Sequence, residues 1–257
     1  MSEGKYIYCI TGANEERTFG PIGIGSRGDV VHMVRYENLA AVVSNSPVIK
    51  YAVSRENMIA HQEVMEEVMK YYTVLPVRFS TIAEGRGSLS PEKTIKNEVL
   101  KNRYQEFKDL LKEMEGKVEL GVKALWTDIN VIFAEIVEEN REIRILKKKL
   151  ALENPLKMNQ KIKLGEIVKS ALDDKKNREG REILNCLKGI SHDFRTNKTF
   201  GDKMIINAAF LVDVNQERVF DEKIEELRTK YNGRITFKYV GPVPIWNFVE
   251  IVVTWHE

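Results

Sequence analysis

The chain has 257 residues, 43% of them hydrophobic and 30% charged, with a formal net charge of +2. That length suits one large domain or two ordinary ones, and that balance excludes a disordered chain. So small a net charge gives no overall field for nucleic acid, and no apolar run approaches the ~20 residues of a membrane-spanning helix.

Two cysteines, Cys9 and Cys186, stand far apart without metal-ligand spacing, as expected of free thiols in a reducing compartment. The opening Met1-Ser2-Glu3-Gly4-Lys5 lacks the basic and apolar regions of a secretion signal. Both observations predict a cytoplasmic protein with no membrane attachment.

Residues 5–11 are apolar and aromatic and predict a strand ended by Gly12. Residues 19–25 form a glycine-punctuated weak strand or irregular segment. Residues 30–36 and 39–44, split by Glu37-Asn38, predict a hairpin. Ser54 is placed to cap a helix whose apolar face is Met58, His61, Met65, Val68 and Tyr72. Residues 74–77 predict a short buried strand. Ser90-Pro91-Glu92 opens another helix, with proline at the first position, where its missing N–H costs nothing. That helix runs to Glu115, with a break near Asn102, and stops at Gly116.

In the second half, Val118, Leu120, Val122 and Ala124 alternate with Lys117, Glu119, Gly121 and Lys123, predicting one buried and one wet strand face. Residues 128–187 read as helix, with a break at Asn154-Pro155 and a further one in the hydrophilic residues 173–181. Phe194 and Thr196 predict a weak strand and residues 204–212 a central one. Asn215 is placed to cap a helix with Phe220, Ile224, Leu227 and Tyr231 on one face, ended by Asn232-Gly233. Residues 234–239 alternate as a last strand. The expected fold is α+β in two domains: residues 1–115, rich in strands, and residues 116–257, ferredoxin-like with an enlarged helical insert.

No residues converge on enzyme chemistry. The histidines show no zinc spacing, His61 reads as a core or boundary residue, and His256 sits near the end of the chain. No G-x-S-x-G elbow or Walker loop is present. Gly20, Gly23, Gly25 and Gly28 do not match the dinucleotide fingerprint. No catalytic, metal or cofactor residue is therefore assigned. The basic run Arg141, Arg144, Lys147, Lys148, Lys149, Lys157, Lys161, Lys163 and Lys169 is either a solvated helical face or a surface for an acidic protein or nucleic acid. The basic-glycine-aromatic pattern of an RNA-binding sheet is absent. Arg78, between Val77 and Phe79, predicts a buried arginine needing an acceptor, either a carboxylate across a domain interface or a partner group.

Two stiff strings stand out. One is Leu75-Pro76-Val77-Arg78-Phe79-Ser80-Thr81. The other is Gly241-Pro242-Val243-Pro244-Ile245-Trp246-Asn247-Phe248-Val249, in which Pro242 and Pro244 fix the backbone and place two aromatics. Phe248 is expected to pack inward and Trp246 to face a partner.

These strings resemble the L-P-[VL]-R-F-G-T element and the G-P-W-P-P-Y-[NS]-F-V terminus of the gas vesicle protein F/L family. Gly116-Lys117-Val118-Glu119-Leu120-Gly121-Val122-Lys123 resembles its G-[KR]-x-E-[LWF]-G-V-K strand, and Tyr6-Ile7-Tyr8 and residues 39–44 fit its opening strands. The departures are Ser80 for glycine, Val243 for tryptophan and Ile245-Trp246 for Pro-Tyr. The resemblance implies a non-enzymatic accessory protein of gas vesicle assembly. Its partners would be the hydrophobic shell protein and other accessory proteins, during nucleation or growth. A nucleic-acid binder using the basic helices, or an enzyme with an interdomain site, are the alternatives. Trp246, Arg78, Lys147, Lys148 and Lys149 are then the candidate partner contacts. Pro76, Phe79, His61, Gly241, Pro242, Pro244 and Phe248 are the candidate structural residues.

Overall fold

The structure, a computed structural model, describes residues 3–152 and 158–255. The expected break at Asn154-Pro155, Lys157 of the basic run and His256 lie outside the described residues. The chain divides into two compact units, one of Met1–Glu119 with Pro242–Glu257 and one of Leu120–Gly241. The terminal segment, assigned from sequence to the second domain, thus belongs to the first unit.

The first unit is built on a six-stranded sheet. Its strands are β1 (Glu3–Gly12), β2 (Thr18–Gly20), β3 (Val31–Tyr36), β4 (Leu39–Pro47), β5 (Val74–Pro76) and β6 (Ile82–Ala83). Their order is β2-β3-β4-β1-β5, with β6 also pairing β1. The expected hairpin is β3–β4, turned through Glu37 at φ 52°. In the β1–β4 register Ile7 faces Val43 and Cys9 faces Val42, leaving Tyr8 as a bulge. A bulge turns two successive side chains to one face, and Tyr6, Tyr8 and Cys9 all enter one core cluster.

Helix α1 (Arg55–Met69) covers that cluster with His61, Val64, Met65 and Val68. Ser54 caps it, its hydroxyl accepting from the Asn57 N–H. Helix α2 (Pro91–Thr94) passes directly into a π-helical stretch, Ile95–Lys101. This stretch buries Ile95, Val99 and Leu100, and α3 (Tyr104–Met114) follows the expected interruption near Asn102.

In the second unit a four-stranded sheet has the order β10-β7-β9-β8. Its strands are β7 (Lys117–Trp126), β8 (Asp193–Thr196), β9 (Met204–Asp213) and β10 (Ile235–Val243). Helices α4 (Ile129–Glu139), α5 (Arg141–Leu152) and α6 (Met158–Lys188) lie between β7 and β8 in the chain, and α7 (Glu217–Lys230) between β9 and β10. Leu120, Trp126, Ile183, Phe210 and Phe220 are in its core. Full burial of each such side chain contributes about 1.5–3 kcal/mol.

Three local expectations fail here. Helix α6 runs unbroken through the hydrophilic residues 173–181, because two of them are paired inside the unit. Lys175 Nζ meets Glu135 at 2.9 Å and Glu139 at 2.6 Å, while Glu179 accepts from Trp126 Nε1 at 2.8 Å. Asn215 does not cap α7; it lies in a 3-10 turn, Val214–Gln216, and α7 has no side-chain cap. Gly241 and Pro242 continue β10 instead of following it. Proline is tolerated there because β10 is an edge strand.

Among the described residues no helix is long and apolar enough to cross a membrane.

Candidate functional site

The first unit brings the two stiff strings together. After β5, Val77 pairs in parallel with Ile251, two residues past the second string. The Ile251 N–H donates to the Pro76 carbonyl at 2.8 Å and the Arg78 N–H to the Ile251 carbonyl at 2.9 Å. Proline at 76 loses nothing, since its carbonyl is the group in use. Between the strings, Trp246 stacks obliquely on His61 with ring centroids 5.3 Å apart. Phe79 meets the same imidazole edge-on at 5.6 Å.

His61 is therefore the hub of an aromatic cluster that also holds Tyr6, Tyr8 and Tyr51. Each tyrosine hydroxyl in it is hydrogen-bonded. Tyr6 Oη accepts from the Ser80 N–H at 2.9 Å and lies 3.1 Å from His61 Nδ1. Tyr8 Oη accepts from the Ile24 N–H at 2.7 Å and lies 2.8 Å from Ser44 Oγ. Tyr51 Oη lies 3.0 Å from Ser46 Oγ. This explains the glycines at 23 and 25: a Cβ at Gly23 would come within 2.8 Å of the Asp29 carbonyl, and Gly25, at φ 86°, lies against the Tyr51 ring. They pack a loop onto buried tyrosines.

Burial dominates the acid–base chemistry of the cluster. It lowers the His61 pKa to about 4, against the opposing effect of the Val77 backbone, and raises that of Tyr8 to about 12. His61 is thus neutral at physiological pH, a core histidine. Its Nε2 has no hydrogen-bond partner of ordinary geometry among the described residues.

Ser80 sits at φ 64°, a left-handed backbone that favours glycine. Its hydroxyl compensates by accepting from the Tyr51 N–H at 2.9 Å.

The sequence reading missed Glu119. Strand alternation places it on the wet face, yet it is 4% exposed. Its carboxylate accepts from the Asn247 backbone N–H at 2.8 Å and from Asn247 Nδ2 at 2.6 Å. Burial raises its pKa, and the two Asn247 donors oppose the rise. The signal was present only as a pair: an acid within the 116–123 strand and an asparagine in the terminal string.

Arg78 is a correction. It is exposed, not buried, and pairs with Glu250 of its own unit at 3.3 Å. Phe248, expected inward, is half-buried, as is Trp246. Pro76 and Pro244 are buried, whereas Gly241 and Pro242 are exposed. Lys147, Lys148 and Lys149 belong to the second unit, lie exposed on α5 and have no carboxylate partner among the described residues.

The second unit holds a further group that sequence reasoning missed. Arg234 donates to Glu135 at 2.7 Å and to Glu179 at 2.8 Å, beside the Lys175 pairs. The Arg234 hydrogen bond, then Lys175, hold the Glu135 pKa down to about 2. Six charges (Glu135, Glu139, Glu179, Lys175, Arg178 and Arg234) balance in sign and tie α4, α6 and the start of β10 together. This is a structural lock. Among the described residues no group of three or more His, Cys, Asp or Glu side chains is placed to hold a metal ion.

Gas vesicle protein F of Nostoc sp. is 24% identical over 254 residues, covering 98% of this chain and all of that one. Gas vesicle protein F1 of Halobacterium salinarum is 26% identical, covering 98% and 95%. Among solved structures, the gas vesicle protein GvpF from Anabaena sp. superposes with a TM-score of 0.81 at 23% identity, covering 97% of this chain and 99% of that one. GvpF from Microcystis aeruginosa gives 0.76 at 21% identity, covering 95% and 98%. These two show the same mixed fold. The family described as gas vesicle synthesis protein GvpL/GvpF matches residues 4–250, through both units and both stiff strings, and the chain belongs to that family.

Proposed function

We propose that this protein is a non-enzymatic accessory factor of gas vesicle formation. It acts in the cytoplasm at nascent gas vesicles, where it holds the hydrophobic shell protein and works with other accessory proteins during nucleation or growth. The observation that carries this reading is the extent of the family match, residues 4–250, which leaves neither unit outside it. The physical need is clear. A shell subunit with a large apolar face aggregates unless a soluble partner covers it before assembly.

We read the second unit as ferredoxin-like. Its first and third strands, β7 and β9, are central, its second and fourth, β8 and β10, are at the edges, and the helices fall between them in the expected βαββαβ sequence. Its exposed lysines 147–149 on α5 are placed to meet acidic groups of an assembly partner. In the first unit, half-buried Trp246 and exposed Arg78 are the proposed partner contacts.

The test is capture of the shell protein from cells producing gas vesicles, using tagged wild type and two variants. Trp246→Ala should weaken capture more than it lowers the thermal midpoint. Replacing Lys147, Lys148 and Lys149 by glutamate should weaken capture of acidic partners at an unchanged midpoint, because exposed charges contribute only about 0–1 kcal/mol each. Failure of wild type to retain the shell protein would remove the shell-binding part of the proposal. Retention of nucleic acid in its place, lost on raising salt, would favour the nucleic-acid alternative.

A further inference from the structure

The first half of α6 is a helix without cover. No side chain of residues 159–171 is buried, whereas farther along the same helix Leu172, Lys175, Glu179 and Ile183 are inside the unit. In α5, which packs beside α6, Ile143 is the one buried side chain among those described. Yet the bare half of α6 is amphipathic. Leu164, Ile167, Val168 and Ala171 recur at i, i+3, i+4 and i+7, on one helical face. That face touches the core of the unit and still remains half-exposed.

Such a stretch has little support from within. A helix in water draws most of its stability from packing an apolar face, and Gly165 inside this one costs about 1 kcal/mol relative to alanine. Its charges offer no compensation. Among the described residues Lys161, Lys163 and Lys169, like Lys147, Lys148 and Lys149 on α5, are exposed and have no carboxylate partner. The acids described on α5 and on residues 159–171 are Glu142 and Glu166. At about 3.6 residues per turn, Lys161 falls on one side of the apolar stripe and Lys163 on the other.

An apolar stripe edged by unpaired cations complements a helix whose apolar stripe is edged by carboxylates, the helix-in-groove mode of recognition. Nucleic acid would take the cations and leave the stripe wet. A helix that enters a bilayer surface turns its apolar face outward and carries Trp or Phe there. Neither residue occurs in α5 or α6, and the stripe of α6 is turned to the core.

We propose that α5 and the first half of α6 form a seat for an acidic amphipathic helix of a partner protein. The partner's apolar stripe packs on Leu164, Ile167 and Val168, and its carboxylates meet Lys147, Lys161 and Lys163. This rests on the reading above that the lysines of α5 meet an acidic partner, and it gives that partner a shape.

The experiment uses the full-length protein and fluorescence anisotropy with a fluorescein-labelled helical peptide. The peptide has leucine at i, i+3, i+4 and i+7, glutamate beside that stripe and glutamine elsewhere. Controls are a scrambled peptide of the same composition, a version with lysine for glutamate, and vesicles of phosphatidylcholine with phosphatidylserine. The acidic amphipathic peptide should bind, weaken as salt is raised, and slow hydrogen exchange of the amides of residues 159–171. The double change Lys161→Glu and Lys163→Glu, at exposed positions, should weaken binding about tenfold or more with the thermal midpoint unchanged. Leu164→Ala should weaken it as well. No binding to wild type at low salt overturns the proposal, as does undiminished binding to the double variant. Equal binding of the scrambled peptide overturns it in favour of charge attraction alone, and sedimentation with the vesicles without peptide binding overturns it in favour of a lipid surface. Shell-protein capture judges the accessory role separately: wild type that retains the shell protein and binds no peptide loses only the helix seat.

Discussion

The buried carboxylate of Glu119 holds both the backbone N–H and the side-chain amide of Asn247, 128 positions later in the chain. This is the hydrogen-bonded clasp that fixes the terminal string, while Trp246 on His61 supplies its apolar contact. A buried carboxylate is tolerated because two donors meet it.

Removing one donor should therefore be felt. Asn247→Ala is expected to lower stability by about 1–3 kcal/mol, the cost of leaving a buried acceptor under-satisfied. Glu119→Gln keeps an acceptor for the backbone N–H and should cost less than Glu119→Ala. Urea midpoints of the three variants give the order. The pH dependence has a definite sign. The folded pKa of Glu119 is raised above 4.5, so its contribution is fully present below the unfolded value and is lost as pH rises through the folded one. In Glu119→Gln that loss should vanish.

His61 acts in the opposite direction. Its pKa falls from 6.5 to about 4 on folding, so the unfolded chain binds the proton more readily between those values. Stability is full above pH 6.5 and declines as pH falls toward 4. The loss approaches roughly 3 kcal/mol, because every tenfold change in proton affinity is worth about 1.4 kcal/mol. Measured in the Glu119→Gln background, where the opposing carboxylate is gone, the decline should be plain, and His61→Gln should flatten it. An unchanged slope in the His61 variant would show that another group titrates.

The strained turn at Ser80 yields an ordering. Ser80→Ala and Ser80→Gly both leave the Tyr51 N–H without its acceptor, but only glycine also relieves the left-handed backbone. The glycine variant should be the more stable of the two by about 1–2 kcal/mol. Thermal melts of the pair suffice, and alanine equal to glycine would refute the strain argument.

In the second unit, Arg234→Ala leaves Glu179, only 7% exposed, without its cation. Breaking a buried pair from one side costs about 3–5 kcal/mol, moderated here because Arg234 and Glu135 keep about 30% side-chain exposure. Arg234→Lys should not restore the loss, since one ammonium cannot reproduce two planar contacts with two carboxylates. Chemical denaturation of both variants tests this.

What the sequence made legible was local. The β3–β4 hairpin, the Ser54 cap, the interruption near Asn102 and the Asn232-Gly233 stop all depend on residues a few positions apart. The order of the family motifs was equally readable. Side chains whose state is set by a distant partner were not. Glu119 looked wet because alternation sees only its own strand. The residues around Lys175 looked like a helix break because their carboxylates are on α4. Arg78 looked buried because its flanks are apolar, although its side chain turns outward to Glu250. The hydrogen bonds of the buried tyrosine hydroxyls likewise exist only once the strands are paired.

The return of residues 242–251 to the first unit has a consequence for biosynthesis. The second unit, residues 120–241, is contiguous and includes neither Asn247 nor Ile251. The second unit can complete its core while the first still lacks the clasp on Glu119 and the strand beside Val77. Domains generally fold as they are synthesised, N-terminal first; here the portion begun first is the last to close. A chain truncated after residue 241 and released from the ribosome should carry a protease-resistant second unit and a first unit that is still open to digestion.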